Sequence, residues 1–534
     1  MNFKKYLKAQ SLIEILIGIG VVAIVFSALT GLMYVSLENS KTTRERALAQ
    51  TLIDDTSSAI SGIINSDWHS LYASEGSIGY WSFNEGADIT ADNKVVLDEI
   101  FGNNGLINLG SAGNVFLANA WQNDSSCISG KCLSFDGSDD QVVIDISTTS
   151  SLDLTNNFTI SLWVYPTNNS SPRPIISKTN ASLNSGYRIE NNGGVLKTSL
   201  FSLGGDCVLS TGNLDLNSWQ LITIVYNGLN ISHYKNGELQ GTPFTCSISA
   251  DKNTEDFLIG AQLSDSSRFA GKIDEIKIYQ RALNQNEISN LFNYPANLAV
   301  SNLGGIWQIK EGMEKLNYAN IEFTRSFKVL GAFRDSNGNL VNDNGNFDLL
   351  TKKIVYTVLW GDKKLEETQY VSRTNNNLVF AQTDWSAGIN PNQIVITAPN
   401  FFEEASSSII YTTPGSLTVA TSSVNSFLVS SIFDSGAEKG IIPLSIIWQG
   451  SLGINNIVKF QIASSNSSSG PWNFIGKDGT SYSYYPLSGS SIPETSIPLN
   501  SKYHYNHRYF RYKIFLTSTN EAPIINDFAI LLNR

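Results

Sequence analysis

Glu14 is the residue with the most to explain. It heads a run, Ile15 to Leu37, that contains no charged side chain. An ionised carboxylate in such surroundings is costly unless a cation pairs with it, which marks this acid as a candidate for function. Other residues equipped for chemistry are few. Four cysteines (Cys127, Cys132, Cys207, Cys246) and four histidines exclude a large metal array. Cys127 and Cys132 flank Ile-Ser-Gly-Lys, a loop short enough to close as a tight bridge; Cys207 and Cys246 then pair across facing strands or stay free. An even count favours disulfides if the chain is exported, with zinc held by the four thiols as the rival, and spacing alone does not fix the connectivity. His504 and His507 read as two surface histidines rather than a metal pair. No Gly-x-Ser-x-Gly elbow, His-Glu-x-x-His helix or Gly-x-x-x-x-Gly-Lys phosphate loop occurs. A glycosidase would need two carboxylates about 5 to 9.5 Å apart in a cleft, and nothing in the sequence singles out such a pair. The reading is a binding protein, not an enzyme.

The elements that position these residues differ sharply along the chain. Its 534 residues suggest about three or four domains at roughly 100 to 200 residues each. A net charge of −11 without a strong basic cluster argues against nucleic acid as a partner. With 10 Trp, 21 Tyr and 26 Phe there is ample material for packed cores, so intrinsic disorder is disfavoured. Ile15 to Leu37 is long enough to span a bilayer as a helix. It follows Lys4, Lys5 and Lys8 and precedes Lys41, Arg44 and Arg46, with Met1 expected inside. A secretory signal has a shorter apolar stretch, about 7 to 15 residues; a plain single-span anchor is the other alternative. Beyond the run, Leu48, Leu52, Ala59, Ile60 and Ile63 recur at helical spacing, and no Gly or Pro intervenes between Tyr34 and Gly62. The pattern predicts one uninterrupted helix, apolar all round and then amphipathic.

The stretch Ala9-Gln10-Ser11-Leu12-Ile13-Glu14-Ile15-Leu16-Ile17 resembles the start of a type IV pilin or pseudopilin. The resemblance implies a leader over residues 1–9, cut by a prepilin peptidase between Ala9 and Gln10, and N-methylation of the new amino group of Gln10. It also implies that Glu14 pairs with the N-terminus of a neighbouring subunit during filament assembly; a buried carboxylate needs such a cation. The family usually has Gly before the cut and Phe after it, where this chain has Ala9 and Gln10. Residues 10–75 are then the transmembrane and stalk helix.

From residue 79 to 292 short alternating segments are separated by Asn, Gly, Ser and Asp turns, the pattern of an antiparallel β-sandwich. The landmarks include Tyr80-Trp81-Ser-Phe83, Leu133-Ser-Phe135-Asp136-Gly137-Ser-Asp139-Asp140, Phe158-Thr-Ile-Ser-Leu-Trp163, Trp219-Gln-Leu and Gly271-Lys-Ile-Asp274-Glu275. In this order they resemble the laminin G-like, concanavalin A-type jelly-roll family, whose members mostly bind carbohydrate or protein ligands and do no covalent chemistry. Some hold a structural Ca²⁺, which needs several oxygens including carboxylates; the candidates are Asp98 and Asp274. The alternative is that Asp274 accepts hydrogen bonds from backbone amides and that Asp136, Asp139 and Asp140 form a turn.

Residues 304–384 read as a small antiparallel sheet turning at Asp335-Ser-Asn337-Gly338, similar to the β-sheet head that follows a pilin stalk. On that reading the lectin-like sandwich is inserted between stalk and head. Residues 385–422, with Pro391, Pro399 and Pro414, read as irregular connection with a strand or two, and residues 423–534 as a second sandwich. The expected fold class is mainly β behind a long N-terminal helix. The expected function is a minor pilin or pseudopilin-like surface protein displaying an adhesive domain for a glycan or protein ligand, with a simple single-span carbohydrate-binding or adhesion protein as the alternative.

Overall fold

The computed structural model describes residues 12–533 except 73, 87–93, 114, 147–150, 171, 264–265, 305, 343–344, 374–376, 424, 453–455, 487–494 and 520. The chain is mainly β, behind a 55-residue helix, Leu12–Ser66. Among the described residues this is the one helix long and apolar enough to cross a membrane. Its two halves behave differently. Every residue from Glu14 to Arg44 is exposed, apolar ones included, whereas Glu45, Ala49, Leu52, Ile53, Thr56, Ala59, Ile60 and Ile63 are buried. Steps of three and four place this second set on one face.

That face sits on a seven-stranded antiparallel sheet that begins more than two hundred residues later, at Leu298–Leu303, and ends at Lys363–Ser372. Phe323, Phe327 and Val329 on one strand and Ile354, Tyr356, Val358 and Trp360 on the next alternate towards the helix and close a common core with it. Glu45 is tied to the same sheet: its Oε2 accepts from Trp360 Nε1 at 3.1 Å and from Lys363 Nζ at 2.8 Å. The helix ends in a 3₁₀ turn, Trp68–Leu71, capped by Asp67, whose carboxylate accepts from the His69 amide.

Between helix and sheet in the chain lies a two-sheet antiparallel sandwich. Strand Ser77–Trp81 enters it by pairing with Ala270–Tyr279. In one sheet Phe158–Pro166 lies between Gln220–Tyr226 and Ala270–Tyr279; in the other Arg173–Thr179 lies between Gly186–Asn191 and Phe257–Ile259. Ile160, Leu162, Ile222 and Ile224 face the core, which Trp81, Phe158, Tyr226 and Phe257 complete. Trp163, Leu221 and Val225 point the other way and are buried too, because helix Gln285–Asn293 covers that face with Ile288 and Leu291. Asn284 and Glu287 form a capping box at its start, and Arg281 grips the Glu287 carboxylate with both terminal nitrogens.

The C-terminal sandwich has sheets of six and eight strands. Here the structure departs from the sequence reading. Residues 385–422, expected as irregular connection with a strand or two, supply strands to both sheets: Phe401–Ala405 pairs with Ser426–Ser430, and Leu417–Val419 with Ile524–Asn533. Asn377–Gln382, expected in the preceding sheet, also pairs with Ile524–Asn533. Prolines mark the turns of this stretch, but Phe402, Leu417 and Val419 between them carry enough apolar surface to join the core. The three β units meet around a small shared core: Val95 and Leu97 from the first sandwich, Phe333 and Phe347 from the helix-bearing sheet, Ile442 and Tyr505 from the last.

Candidate functional site

Glu14 lies on the exposed first turn of the long helix. Ala9 and Gln10 lie outside the described residues.

Asp98 is fully buried and its carboxylate is crowded with donors. It accepts from the backbone amides of Tyr80, Ile100, Phe101 and Asn103 and from the Asn103 side chain at 2.9 to 3.3 Å. Burial pushes its pKa up against these bonds. Asp274 is equally buried; its Oδ2 accepts from the amides of Ile128 and Ser129, while Oδ1 has no partner among the described residues. Its neighbour Glu275 adopts a left-handed backbone (φ +52°) and accepts from Tyr80 Oη at 2.8 Å. Burial and the Glu275 charge together raise the Asp274 pKa.

Among the described residues, the group of acids close enough to share a cation is Asp136, Asp139 and Asp140, with one carboxylate oxygen of each within 4.8 Å of the others. Asp139 Oδ2 accepts from the Ser111 and Ala112 amides, Asp136 Oδ1 from the Ser138 amide, and Asp140 Oδ2 from the Asp136 amide. The three acids therefore tie loops together, and Asp139 and Asp140 each retain an Oδ1 without a partner among the described residues. Burial, with the charges of Asp136 and Asp139, pushes the Asp140 pKa up to about 7. For a Ca²⁺, which takes several oxygens, this trio offers spare donors, whereas both oxygens of Asp98 are already engaged. The signal was present in the Asp-Gly-Ser-Asp-Asp string.

All four cysteines are paired. Cys127 joins Cys132 with Cα atoms 5.5 Å apart, and Cys207 joins Cys246 at 5.8 Å.

A cavity of about 1050 Å³ opens between the first sandwich and the C-terminal one. The first contributes Phe101 to Leu106, Asp145 and Asp256, and the second Gln461, Ser464, Trp472, Phe474, Tyr484 and Lys513. His504 and His507 line it, His504 buried and His507 half-buried, so the structure corrects the reading of His504 as a surface residue. Ser464 Oγ lies 2.7 Å from His504 Nδ1 and 2.6 Å from His507 Nδ1. A hydroxyl has one proton, so one imidazole accepts from Ser464 and the other donates to it. Burial lowers the pKa of His504 to about 3 and of His507 to about 4, so both are neutral.

Residues 136–289 match the family model of the concanavalin A-like lectin/glucanase superfamily. The match runs from the acidic trio to the closing helix, so this part of the chain is a lectin-like domain. No curated protein matches the chain. Among solved structures it is similar to domain 4 of AbnA, an extracellular arabinanase of Geobacillus stearothermophilus solved with arabinotriose, at 17% identity over 40% of this chain and 98% of that one, TM-score 0.30. The binding domain of Paraclostridial Mosquitocidal Protein 1 gives 16% identity over 54% and 75%, TM-score 0.32. Trypanosoma rangeli sialidase gives 16% over 41% and 33%, TM-score 0.30.

Proposed function

We propose that the protein is a minor pilin or pseudopilin-like surface protein that holds a lectin-like domain outside the cell. The observation that carries this reading is the division of the long helix. Its apolar half, Ile15 to Leu37, is exposed on all sides, while its second half is seated on a sheet of its own chain. A rigid graft of this kind suits a stalk that lies in the membrane before assembly and against other stalks afterwards. Glu14 is then the acid that pairs with a neighbour's N-terminal amine, after a prepilin peptidase has cut between Ala9 and Gln10. The partners are that peptidase, other pilin subunits, the membrane, and a glycan or protein ligand; nucleic acid is not among them. The protein binds rather than catalyses.

Mass spectrometry of the mature protein should find an N-methylated peptide beginning at Gln10, and Glu14→Ala should abolish surface display. A chain that retains Met1 and stays with the membrane fraction after filaments are sheared off would be a plain anchored binding protein instead.

A further inference from the structure

The lectin-like domain is not the only surface built to hold a ligand. We propose that the cleft between the lectin-like sandwich and the C-terminal sandwich is a binding site for a neutral oligosaccharide. This rests on the reading of the chain as a glycan-binding surface protein, and it places the ligand where two domains meet.

The C-terminal sandwich supplies the stacking surface. Trp472, Phe474 and Tyr484 are half-buried rings that line the cavity. Each carries a cation: Arg511 lies 5.4 Å from the Trp472 ring centre, Lys513 5.8 Å from that of Phe474 and Lys459 4.5 Å from that of Tyr484. A ring held in this way is pre-organised, so little entropy remains to be lost when a sugar stacks on it. The C–H face of a pyranose is apolar and its edges carry hydroxyls, which suits rings set among polar groups.

Those polar groups come from both walls. Asp145 and Asp256 belong to the lectin-like domain, and Asn473 reaches across from the other sandwich to donate to Asp145 Oδ2 at 3.3 Å. A carboxylate accepts two hydroxyl donors at once, and an amide both donates and accepts, so together they match adjacent sugar hydroxyls. The walls have no common sign: Asp145, Asp256 and Glu438 face a cleft that Lys502 and Lys513 also line. A polyanion would meet the acids, and a cation would meet Lys513, whose ammonium lies over Phe427 at 4.1 Å and forms no ion pair among the described residues. A neutral ligand meets neither penalty. The volume lies just above the range of about 300 to 1,000 Å³ usual for ligand pockets, which favours a short oligosaccharide over one sugar.

The two walls are also bonded directly to each other at the edge of the cleft. Asn104 Nδ2 donates to the Tyr505 carbonyl at 2.6 Å and Asn466 Nδ2 to the Phe101 carbonyl at 2.7 Å. The cleft is therefore preformed.

The test uses the full-length protein in detergent micelles on an array of neutral and carboxylated oligosaccharides. Neutral oligosaccharides should bind, with little change between about 0.05 and 0.5 M salt. Trp472→Ala and Tyr484→Ala should each weaken binding about tenfold or more, and Trp472→Phe should retain most of it. Asn473 is exposed, so Asn473→Ala gives a variant whose folding is not at stake and which should also bind more weakly. Wild-type binding that survives all three alanine variants, at unchanged melting temperature, would overturn the cleft and leave the lectin-like rim as the site, with the proposed function intact. Binding of carboxylated sugars alone, fading with salt, would overturn the neutral ligand. A wild-type protein that binds no oligosaccharide would remove both the cleft and the glycan reading on which it rests.

Discussion

Lys352 Nζ lies 2.6 Å from Glu99 Oε1, with both side chains almost wholly buried and the two residues 253 positions apart in the chain. Lys352 belongs to the sheet under the long helix and Glu99 to the lectin-like unit, so the pair spans their junction. The rings of Tyr72 and Phe347 lie 5.3 Å from the ammonium, and Tyr505 Oη from the C-terminal sandwich donates to Glu99 Oε2 at 3.3 Å. Three units thus share one buried charge pair.

The first prediction concerns this pair. Lys352→Met or Glu99→Gln alone leaves the partner charge buried and should cost about 3 to 5 kcal/mol. Replacing both by apolar residues should recover most of that loss. Denaturant midpoints of the two single variants and the double variant supply the cycle; equal additive losses would mean that the pair does not couple the units.

A second prediction isolates a close approach. Gly102 has φ +69°, and a Cβ there would stand 2.4 Å from the Asn506 carbonyl oxygen. Gly338 has φ +83° with open space around it. Alanine at Gly338 should therefore cost only the strain of a left-handed backbone, about 1 to 2 kcal/mol. Gly102→Ala should cost clearly more, and hydrogen exchange at the amides near Asn506 should rise in that variant alone.

The sequence made some of this legible and hid the rest for a physical reason. Strands such as Trp219 to Tyr226 and the stalk helix announce themselves because their apolar residues recur at two or at three to four positions, a pattern contained in each segment. The acid trio was visible as a string. The junction was not, since nothing near Glu99 signals that Lys352 will be its partner. For the same reason His504 looked like a surface residue: it is buried because Ser464 and the lectin-like domain close over it. Residues 385–422 hold five short strands where a strand or two was expected, because their prolines end strands without preventing short ones.

The third prediction is a pH dependence. His504 and His507 remain neutral in the folded protein, with pKa values near 3 and 4, whereas in the unfolded chain they take up protons below about 6.5. Their contribution to stability is therefore complete above about pH 6.5 and falls away towards pH 4, by up to about 1.4 kcal/mol per pH unit for each. Glu85 acts with the opposite sign. Burial and the neighbouring Glu99 charge push its pKa up to about 8, so its contribution is complete below its ordinary value and is lost as the pH rises through 8. Unfolding midpoints from pH 4 to 9 should show His504→Gln with His507→Gln flattening the acid side relative to wild type, and Glu85→Gln flattening the alkaline side.

The fourth prediction separates the two disulfides by the length of chain that each closes. Cys127 and Cys132 are 5 positions apart, Cys207 and Cys246 39. Loop-closure entropy gives about 2 kcal/mol for the short loop and about 4 kcal/mol for the long one. The longer bridge also ties the strand that starts at Cys207 to the end of the hairpin that closes at Thr245, two edge strands on opposite sheets of the lectin-like sandwich. Cys207→Ala with Cys246→Ala should therefore lower stability about twice as much as the Cys127/Cys132 double replacement, and should loosen both edges. Differential scanning calorimetry orders the two variants, and hydrogen exchange over 207–213 and 238–245 locates the change. If the short-loop variant proved the less stable, chain entropy would not set the order, and the tie that Cys127 and Cys132 hold beside buried Asp274 would be the place to look.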